Sequence, residues 1–442
     1  MIRLSDHFTY LKLLKYTIPS IFMLIFTSIY GIVDGFFVSN FVGKLPFTAL
    51  NFIMPFLILL NCFGFLFGTG GGALIAKTLG EGNKIKANRI FSMLVYISIL
   101  CGIIFAVIGF ILLPEVSKFL GAEGDLLTKS VIYGRIVILA LPMTILQFEF
   151  QCLFPTAEKP KLGLYVTIAA GLTNISLDAL LIVIFDLGLV GAAAATAVSE
   201  FIGGFLPIIY FSRKNSSLLR LTKTTFYFSA LIKTCSNGIS EVMDSVSISI
   251  VGMLYNVQLL KFVGEDGVAA YGIIMYVNLI FQSIFIGYSV GTSPIVSYHF
   301  GAKNSKELKN LMKKSFAIIS ISAISMFLSA EIFSRALAMI FVSYDENLLN
   351  LTIHAFRIYS FSFFLSGFTL FISAFFTALN DGITSAIISF LHLMIFETST
   401  ILILPHIFGV NGIWISVTVA EVFAVTISII LLMKNKRKYK YF

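Results

Sequence analysis

Charged residues are scarce in this chain of 442 residues. Asp, Glu, Lys and Arg make up 12% of it, whereas they make up about 25% of a typical soluble domain. Hydrophobic residues make up 58%. A water-soluble protein cannot bury so much apolar surface, so the shortage of charge excludes an ordinary soluble fold. It predicts an integral membrane protein.

Cysteine and histidine are also few, with four and five residues. The cysteines lie singly within apolar stretches, and no pair of them has the spacing of metal ligands. The sequence contains no His-rich box and no pattern of a nucleophile triad. We therefore expect no enzyme, no catalytic residue, no cofactor and no metal other than a coupling Na⁺.

Two features that often indicate nucleic acids or nucleotides do not indicate them in this chain. The net charge is +9, but the Lys and Arg residues stand at the ends of apolar segments and do not alternate with aromatic residues. The stretch GTGGG (68–72) lacks the Gly-Lys-Ser/Thr ending of a phosphate-binding loop. We expect neither nucleic acid nor a nucleotide as a partner, which argues against an ATP-driven pump.

The sequence contains twelve long runs of apolar residues. Each is long enough to cross the roughly 30 Å of hydrocarbon in a bilayer as a helix. The twelve predicted spans lie near residues 16–42, 48–76, 90–113, 130–156, 162–185, 188–211, 230–260, 268–298, 315–334, 351–379, 383–405 and 409–433.

The basic residues predict how these spans are oriented. One side of the membrane collects 24 Lys and Arg residues from both chain ends and alternate loops, and the other side collects 5. Loops rich in Lys and Arg stay in the cytoplasm. We expect a multi-pass protein of the cell membrane, surrounded by lipid, with both termini cytoplasmic.

The sequence repeats itself with one offset of 221 residues. LGLVGAAAATAVSE (187–200) returns as FGVNGIWISVTVAE (408–421), and FVG at 41–43 returns at 262–264. With six spans per copy, both copies enter the membrane in the same direction, so a pseudo-two-fold axis along the membrane normal relates them. We expect an all-α fold of two six-helix lobes, residues 1–212 and 229–442, joined by a cytoplasmic linker at 213–228. Such an architecture is typical of a secondary transporter with alternating access.

At this point the chain resembles a known family over its full length. VDGFFVSNFVG (33–43), GTGGGALIAKTLGEGN (68–83) and TNISLD (173–178), together with the duplication, are similar to the multidrug and toxic-compound extrusion (MATE) transporters. The resemblance implies a monomer that exports lipophilic organic cations, antibiotics among them, against an inward flow of Na⁺ or H⁺. The positions that match the family's cation site are Asp34, Asn174, Asp178 and Thr196.

The depth of two aspartates agrees with such a site. At 1.5 Å per residue, Asp34 lies about 28 Å beyond Lys15, and Asp178 lies about 26 Å beyond Lys161. The two carboxyl groups should therefore reach the same level of the first lobe. Carboxylate, amide and hydroxyl oxygens could hold Na⁺, and two close carboxylates could equally share a proton. The sequence leaves both ions open.

Further polar and aromatic side chains are candidates for substrate binding. Tyr30, Phe37 and Met54 should lie beside Asp34, where aromatic faces attract organic cations. Acidic residues inside other spans could hold the positive charge of a substrate. These acidic candidates are Glu200, Glu241 and Asp244.

An alternative function is a flippase for a lipid-linked saccharide or another lipid precursor. Such a cavity should be basic in order to hold pyrophosphate. Apart from Lys233 and Glu331, which lie at the edges of their predicted spans, the Lys and Arg residues within the spans are Arg135 and Arg357, near span ends, against eight acids. Span 10 (361–380) lacks the acid that some branches of the family carry there, which gives the site in the first lobe more weight.

Overall fold

The computed structural model describes residues 2–342 and 345–442, and these residues form helices and loops with no strand. Three helices contain wider, π-helical turns, at Val38–Val42, Ala179–Ile184 and Phe390–Glu397. The α-helices are α1 (Tyr10–Phe37), α2 (Lys44–Gly80), α3 (Lys84–Phe119), α4 (Gly124–Leu139), α5 (Leu141–Thr156), α6 (Pro160–Asp178), α7 (Gly188–Ser212), α8 (Phe228–Phe262), α9 (Glu265–Gly301), α10 (Ser305–Met339), α11 (Glu346–Ser360), α12 (Phe363–Ala378), α13 (Gly382–Ser389), α14 (Thr398–Phe408) and α15 (Val410–Tyr439).

Ten helical stretches in the described ranges are long and apolar enough to cross a membrane, and two bent pairs complete a set of twelve. Helices α4 and α5 meet at an angle of 60°, and α11 and α12 meet at 49°. The first bend falls just before Pro142, which lies in the first turn of α5, where its missing amide hydrogen breaks no intrahelical bond. Each bent pair corresponds to one span that the sequence predicts as a single run. The all-α prediction is confirmed.

The duplication is visible in the backbone. Helices α2 and α9 both have 37 residues, and they begin at Lys44 and Glu265, 221 positions apart. Each follows a glycine in the left-handed region, Gly43 with φ 114° and Gly264 with φ 89°. A residue with a Cβ atom adopts such a φ only with strain. The repeat therefore preserves the turn that starts the second span of each half.

The two halves approach closely near the end of the bundle that carries both chain termini, called the terminal end below. At Gly70 of α2 an added Cβ would press against the backbone of Thr234 in α8, and at Gly80 against that of Tyr298 in α9. Helix α1 likewise packs against α9. At Gly252 of α8, nearer the opposite end, an added Cβ would meet no atom within 4 Å. The halves are thus closed together at the terminal end.

The segment before α1 bridges the two halves at this end. The Leu4 amide donates a hydrogen bond to Glu158 of the first half at 2.6 Å. The Phe8 amide donates to Glu307 of the second half at 2.9 Å. Glu307 is also 2.6 Å from His7 Nδ1. We call residues 4–8 the N-terminal strap.

The stretch between the halves is docked on α3 of the first half. The Arg220 amide donates to Asn88 Oδ1 at 2.6 Å, and the Thr222 amide donates to Ser92 Oγ at 2.8 Å. The Tyr227 amide, directly before α8, still contacts α3 through Met93 Sδ at 3.1 Å. Residues 213–227 form no helix, yet they stay attached to the first half over most of their length.

Candidate functional site

Two buried aspartates stand where an α-helix widens into a π-helical turn. Asp34 lies on α1, four residues before the π-helical turn Val38–Val42, and Asp178 is the last residue of α6 before Ala179–Ile184. Asp34 is 6% exposed and Asp178 is 0% exposed. The π-helical geometry is rare and often occurs at functional sites, because it changes the direction of neighbouring side chains.

The structure brings the four predicted cation-site residues together. Thr196 Oγ1, on α7, donates a hydrogen bond to Asp34 Oδ1 at 3.5 Å. The side chains of Asp178 and Asn174 are also close neighbours of the Asp34 carboxyl group. Three separate helices therefore place two carboxyl groups, one amide and one hydroxyl around a common point, within the bundle of the first half.

Several oxygens at this point have no hydrogen-bond donor. Both carboxylate oxygens of Asp178 and the Oδ1 atom of Asn174 are buried and lack a partner among the described residues. A buried acceptor without a partner costs about 1–3 kcal/mol, and more when it is charged. A cation or a proton at this point would satisfy these atoms, so the arrangement suits the binding of Na⁺ or H⁺.

Two of the predicted substrate contacts lie beside this group. The Tyr30 hydroxyl accepts a hydrogen bond from Gln147 Nε2 at 3.2 Å. Glu200 Oε2 accepts one from Thr144 Oγ1 at 2.5 Å. Both Tyr30 and Glu200 are close enough to Asp34 for the charge of its carboxylate to act on them. They extend the polar surface around the aspartates.

The other two candidates of the first half have apolar neighbours. Phe37 and Met54 are half-buried against a hydrophobic cluster that includes Ile53 and Leu57. The Phe37 ring stacks on Phe41 with centroids 5.7 Å apart. Each keeps part of its surface uncovered, so a contact with substrate stays a prediction for both.

The acidic candidates of the second half lie on α8. Asp244 Oδ2 accepts a hydrogen bond from Ser389 Oγ at 3.1 Å. Glu241, one turn earlier, interacts with Asp244 and with Thr69 of α2. Because Thr69 belongs to the other half, Glu241 lies at the boundary between the two halves.

A comparison with protein families adds to this geometry. The model of the MatE family matches residues 19–180 and 241–401, which together exceed half of the chain. This chain belongs to the MATE family. Members of the family are membrane transporters and not enzymes.

Relatives with curated names agree with this membership. The multidrug export protein MepA of Staphylococcus haemolyticus (strain JCSC1435) is 27% identical over 413 residues, which are 92% of this chain and 90% of that protein. MepA of Staphylococcus aureus (strain MSSA476) is 25% identical over 414 residues, with the same coverage of both chains.

Solved structures share the fold of this MATE protein. One is an outward-facing multidrug resistance MATE transporter, with a TM-score of 0.92, 18% identity, and coverage of 99% of this chain and 98% of that one. Another is a transporter from Pyrococcus furiosus, described as having a binding pocket of reverse polarity, with a TM-score of 0.91 and 19% identity. It covers 98% of this chain and 97% of its own.

Sequence reasoning missed three buried groups of this MATE protein. Tyr133 is fully buried, interacts with Asp34 and Thr196, and has a hydroxyl without a hydrogen-bond partner in the described ranges. The position of Tyr133 within the fourth predicted span is the one feature of the sequence that could have indicated its burial. His392 pairs with Glu421, and no residue near His392 in the sequence indicates this partner.

Glu149 lies near the cytoplasmic end of the fourth predicted span, a place that predicts a solvated or paired carboxylate, and the structure shows it buried. It is 0% exposed, and neither carboxylate oxygen has a partner among the described residues. It lies on α5 against Gly68 of α2, where the missing side chain lets the helices approach. Its position ten residues before Lys159 already gives a depth of about 15 Å, which is the signal that could have found it.

Proposed function

We propose that this protein is a secondary active multidrug exporter, which exchanges lipophilic organic cations for inward-moving Na⁺ or H⁺ by alternating access. It acts as a monomer in the cell membrane. The terminal end faces the cytoplasm, because most Lys and Arg residues lie there. The closed terminal end then makes the described arrangement outward-facing.

The observation that carries this proposal is the buried pair of Asp34 and Asp178 with its unpartnered oxygens. Intramembrane acids are expensive to insert and commonly belong to ion pathways. Two adjacent carboxylates repel each other until a cation or a proton binds. Cation entry from the outside would therefore stabilise one packing of the first lobe, and its release would permit another.

Exchange follows if the cation and the substrate favour different packings of the lobes. The two ligands then exclude each other without touching the same atoms. Each coupling ion that moves inward across about 100 mV supplies about 2.3 kcal/mol, and each monovalent cation that is exported costs the same amount. Two coupling ions per substrate cation therefore leave a net ~2.3 kcal/mol from the potential, which supports roughly a 50-fold gradient of substrate.

The interior charge suits a cationic substrate. Glu200 in the first half and Glu241 and Asp244 in the second are acids whose ionised form would attract an organic cation, and Tyr30 adds an aromatic face. Neither intramembrane arginine balances these acids. Arg135 lies over the Phe110 ring at 4.7 Å, and Arg357 is exposed and 4.0 Å from Glu331. These positions argue against a flippase that must hold pyrophosphate.

The first prediction tests the aspartate pair. Asp34→Asn and Asp178→Asn should leave insertion and folding intact and abolish ion-driven efflux, because the neutral amide cannot exchange a cation. Efflux of ethidium from loaded cells is the measurement. Asp125→Asn, at an exposed position in the first turn of α4, is the matched control and should transport normally. Undiminished efflux by both site variants would refute the proposal.

A further inference from the structure

A second group of ionisable side chains lies in the C-terminal half, apart from the aspartate pair. His392 Nε2 is 3.2 Å from Glu421 Oε1, and these side chains are 11% and 3% exposed. Thr369 Oγ1 donates a hydrogen bond to the other Glu421 oxygen at 2.8 Å. Asp244, which accepts from Ser389, is also close to His392. We call these groups, together with Glu397, the C-terminal cluster.

A π-helical segment places two members of the cluster on one face. His392 and Glu397 both lie in Phe390–Glu397 and are five residues apart. In an α-helix this spacing would turn their side chains about 140° away from each other. The wider π-helical turn reduces that angle. Their charges interact as a result. The backbone of this span thus departs from the α-helix where the ionisable residues stand.

A buried tyrosine points into the cluster without an ordinary partner. Tyr255 is 1% exposed, and its hydroxyl interacts with Glu397. It makes no hydrogen bond of normal geometry within the described residues. The titratable groups near the cluster on the helices packed around it are Glu241, Asp244 and Tyr255 on α8, Tyr271 on α9, Tyr359 on α11 and Glu421 on α15.

The balance of charge indicates which ligand fits. Even with a protonated His392, the carboxylates of Glu421, Glu397 and Asp244 would leave the buried cluster negative, and buried like charges destabilise one another. A proton removes one such charge without needing room. Imidazole exchanges protons near neutral pH, whereas Na⁺, like other hard cations, prefers a shell of oxygen ligands. The cluster therefore suits a proton.

A row of hydroxyl groups connects the cluster with the terminal end. Ser389, which contacts Asp244, lies 3.3 Å from Ser373. Ser373 and Ser385 are 2.8 Å apart, and Thr377 donates to Ser385 at 2.8 Å. Thr377 is the last residue but one of α12, whose end lies at the terminal end of the bundle. Each hydroxyl can both donate and accept a hydrogen bond, so the row can pass a proton along.

We propose that the C-terminal cluster is a second, proton-binding site, which takes up a proton from the outside and releases it to the cytoplasm along the hydroxyl row in each transport cycle. An arriving proton converts a carboxylate of the cluster to a carboxylic acid. On release, the Asp244 carboxyl group gives a proton to Ser389 Oγ, and each hydroxyl of the row passes its own proton to the next until Thr377 releases one. The role in transport rests on the proposed export function, whereas the binding of protons does not.

Proton binding can be tested without transport. In purified protein labelled with ¹⁵N-histidine, the His392 resonance, assigned by its loss in His392→Gln, should shift with pH in two steps. One step should vanish in Glu421→Gln, because the pair titrates jointly. His406→Gln, at an exposed histidine, should leave the His392 resonance unchanged. A His392 signal that is constant between about pH 5 and 9, or that titrates alike in Glu421→Gln, would overturn the proposal.

The role in transport needs a second measurement. In inside-out vesicles with a membrane potential of about 100 mV, positive inside, His392→Gln and Glu397→Gln should lower the attainable accumulation of ethidium by about 50-fold, the share of one proton. His406→Gln should accumulate the dye normally. Unchanged accumulation in both cluster variants would overturn this role. If the unmodified protein moved no dye, the proposed export would fail, while the resonance of His392 would still decide whether the cluster binds protons.

Discussion

At the scale of single residues, the site in the first half is defined by what its oxygens lack. Asp178 and Asn174 are buried, yet three of their oxygens accept no hydrogen bond from the described residues. A fold seldom leaves such atoms without a partner unless they serve a function. Thr196 donates its hydroxyl to the Asp34 carboxylate. It should therefore contribute to the affinity for the coupling ion.

Thr196→Ala should raise the Na⁺ concentration needed for half-maximal efflux by about tenfold, whereas a proton-coupled exporter should need less H⁺, because alanine lacks the donor that stabilises the ionised Asp34 carboxylate. The reason is that a hydrogen bond to a charged group contributes about 1.5–3 kcal/mol. The measurement is the rate of ethidium efflux during a Na⁺ titration at fixed pH and a pH titration at fixed Na⁺. Thr128→Ala, at an exposed threonine of α4, is the control. Equal half-maximal concentrations in both variants would contradict a role for Thr196 at the site.

At the scale of helices, small residues decide how closely the halves approach. Gly70 of α2 and Gly238 of α8 each lie against the backbone of the opposite helix. Close backbone contact is the usual use of glycine between membrane helices. Gly252, further along α8, has open space where a Cβ would stand. The same residue type therefore has different consequences along a single helix.

Gly70→Ala should open the terminal end by weakening the closed arrangement, since overpacking costs about 1–3 kcal/mol. The measurement is the distance between spin labels at the exposed positions Lys84 and Lys303, in a cysteine-free background. Longer distances should become more populated by about tenfold. Gly252→Ala should leave the distribution as it is. The interpretation is wrong if the two variants give the same distances.

Sequence patterns predicted the helical elements better than their irregularities. Hydrophobic runs and the offset of 221 anticipated twelve spans and two similar halves. The hydrophobic pattern did not predict the bends at α4–α5 and α11–α12, because a bent span is as apolar as a straight one. The pattern did not predict the π-helical turns either, since these depend on packing against other helices. The rise of about 1.5 Å per helical residue predicted that Asp34 and Asp178 lie at the same depth in the membrane. It could not show that His392 contacts Glu421, because Glu421 lies on another helix.

At the scale of the whole molecule, the N-terminal strap bridges the two halves. It contacts Glu158 in the first half and Glu307 in the second, both at the terminal end. Glu307 accepts hydrogen bonds from the Phe8 amide and from Asn310 at 2.7 Å. Movement of one half against the other must break contacts on one side of the strap. The strap therefore stabilises the arrangement that is closed at this end.

Glu307→Ala should weaken this closure, because it removes hydrogen bonds to a charged group. The open population at the terminal end should rise by about tenfold, given about 1.5 kcal/mol for one such bond. The same spin-label distance, between Lys84 and Lys303, measures it. Glu346→Ala is the matched control, because Glu346 is also an acid in the first turn of its helix. If Glu307→Ala and Glu346→Ala gave the same distribution of spin-label distances, the strap would have no influence on closure.

The docking of residues 213–227 on α3 determines where the molecule can pivot. If residues 213–227 were a flexible linker, their backbone could absorb movement of one half against the other along its whole length. Here the Tyr227 amide still contacts Met93 of the first half, and α8 begins at the next residue. The linker therefore provides no slack before Phe228, so any rocking of the halves must be accommodated within α8 and its packing against α2.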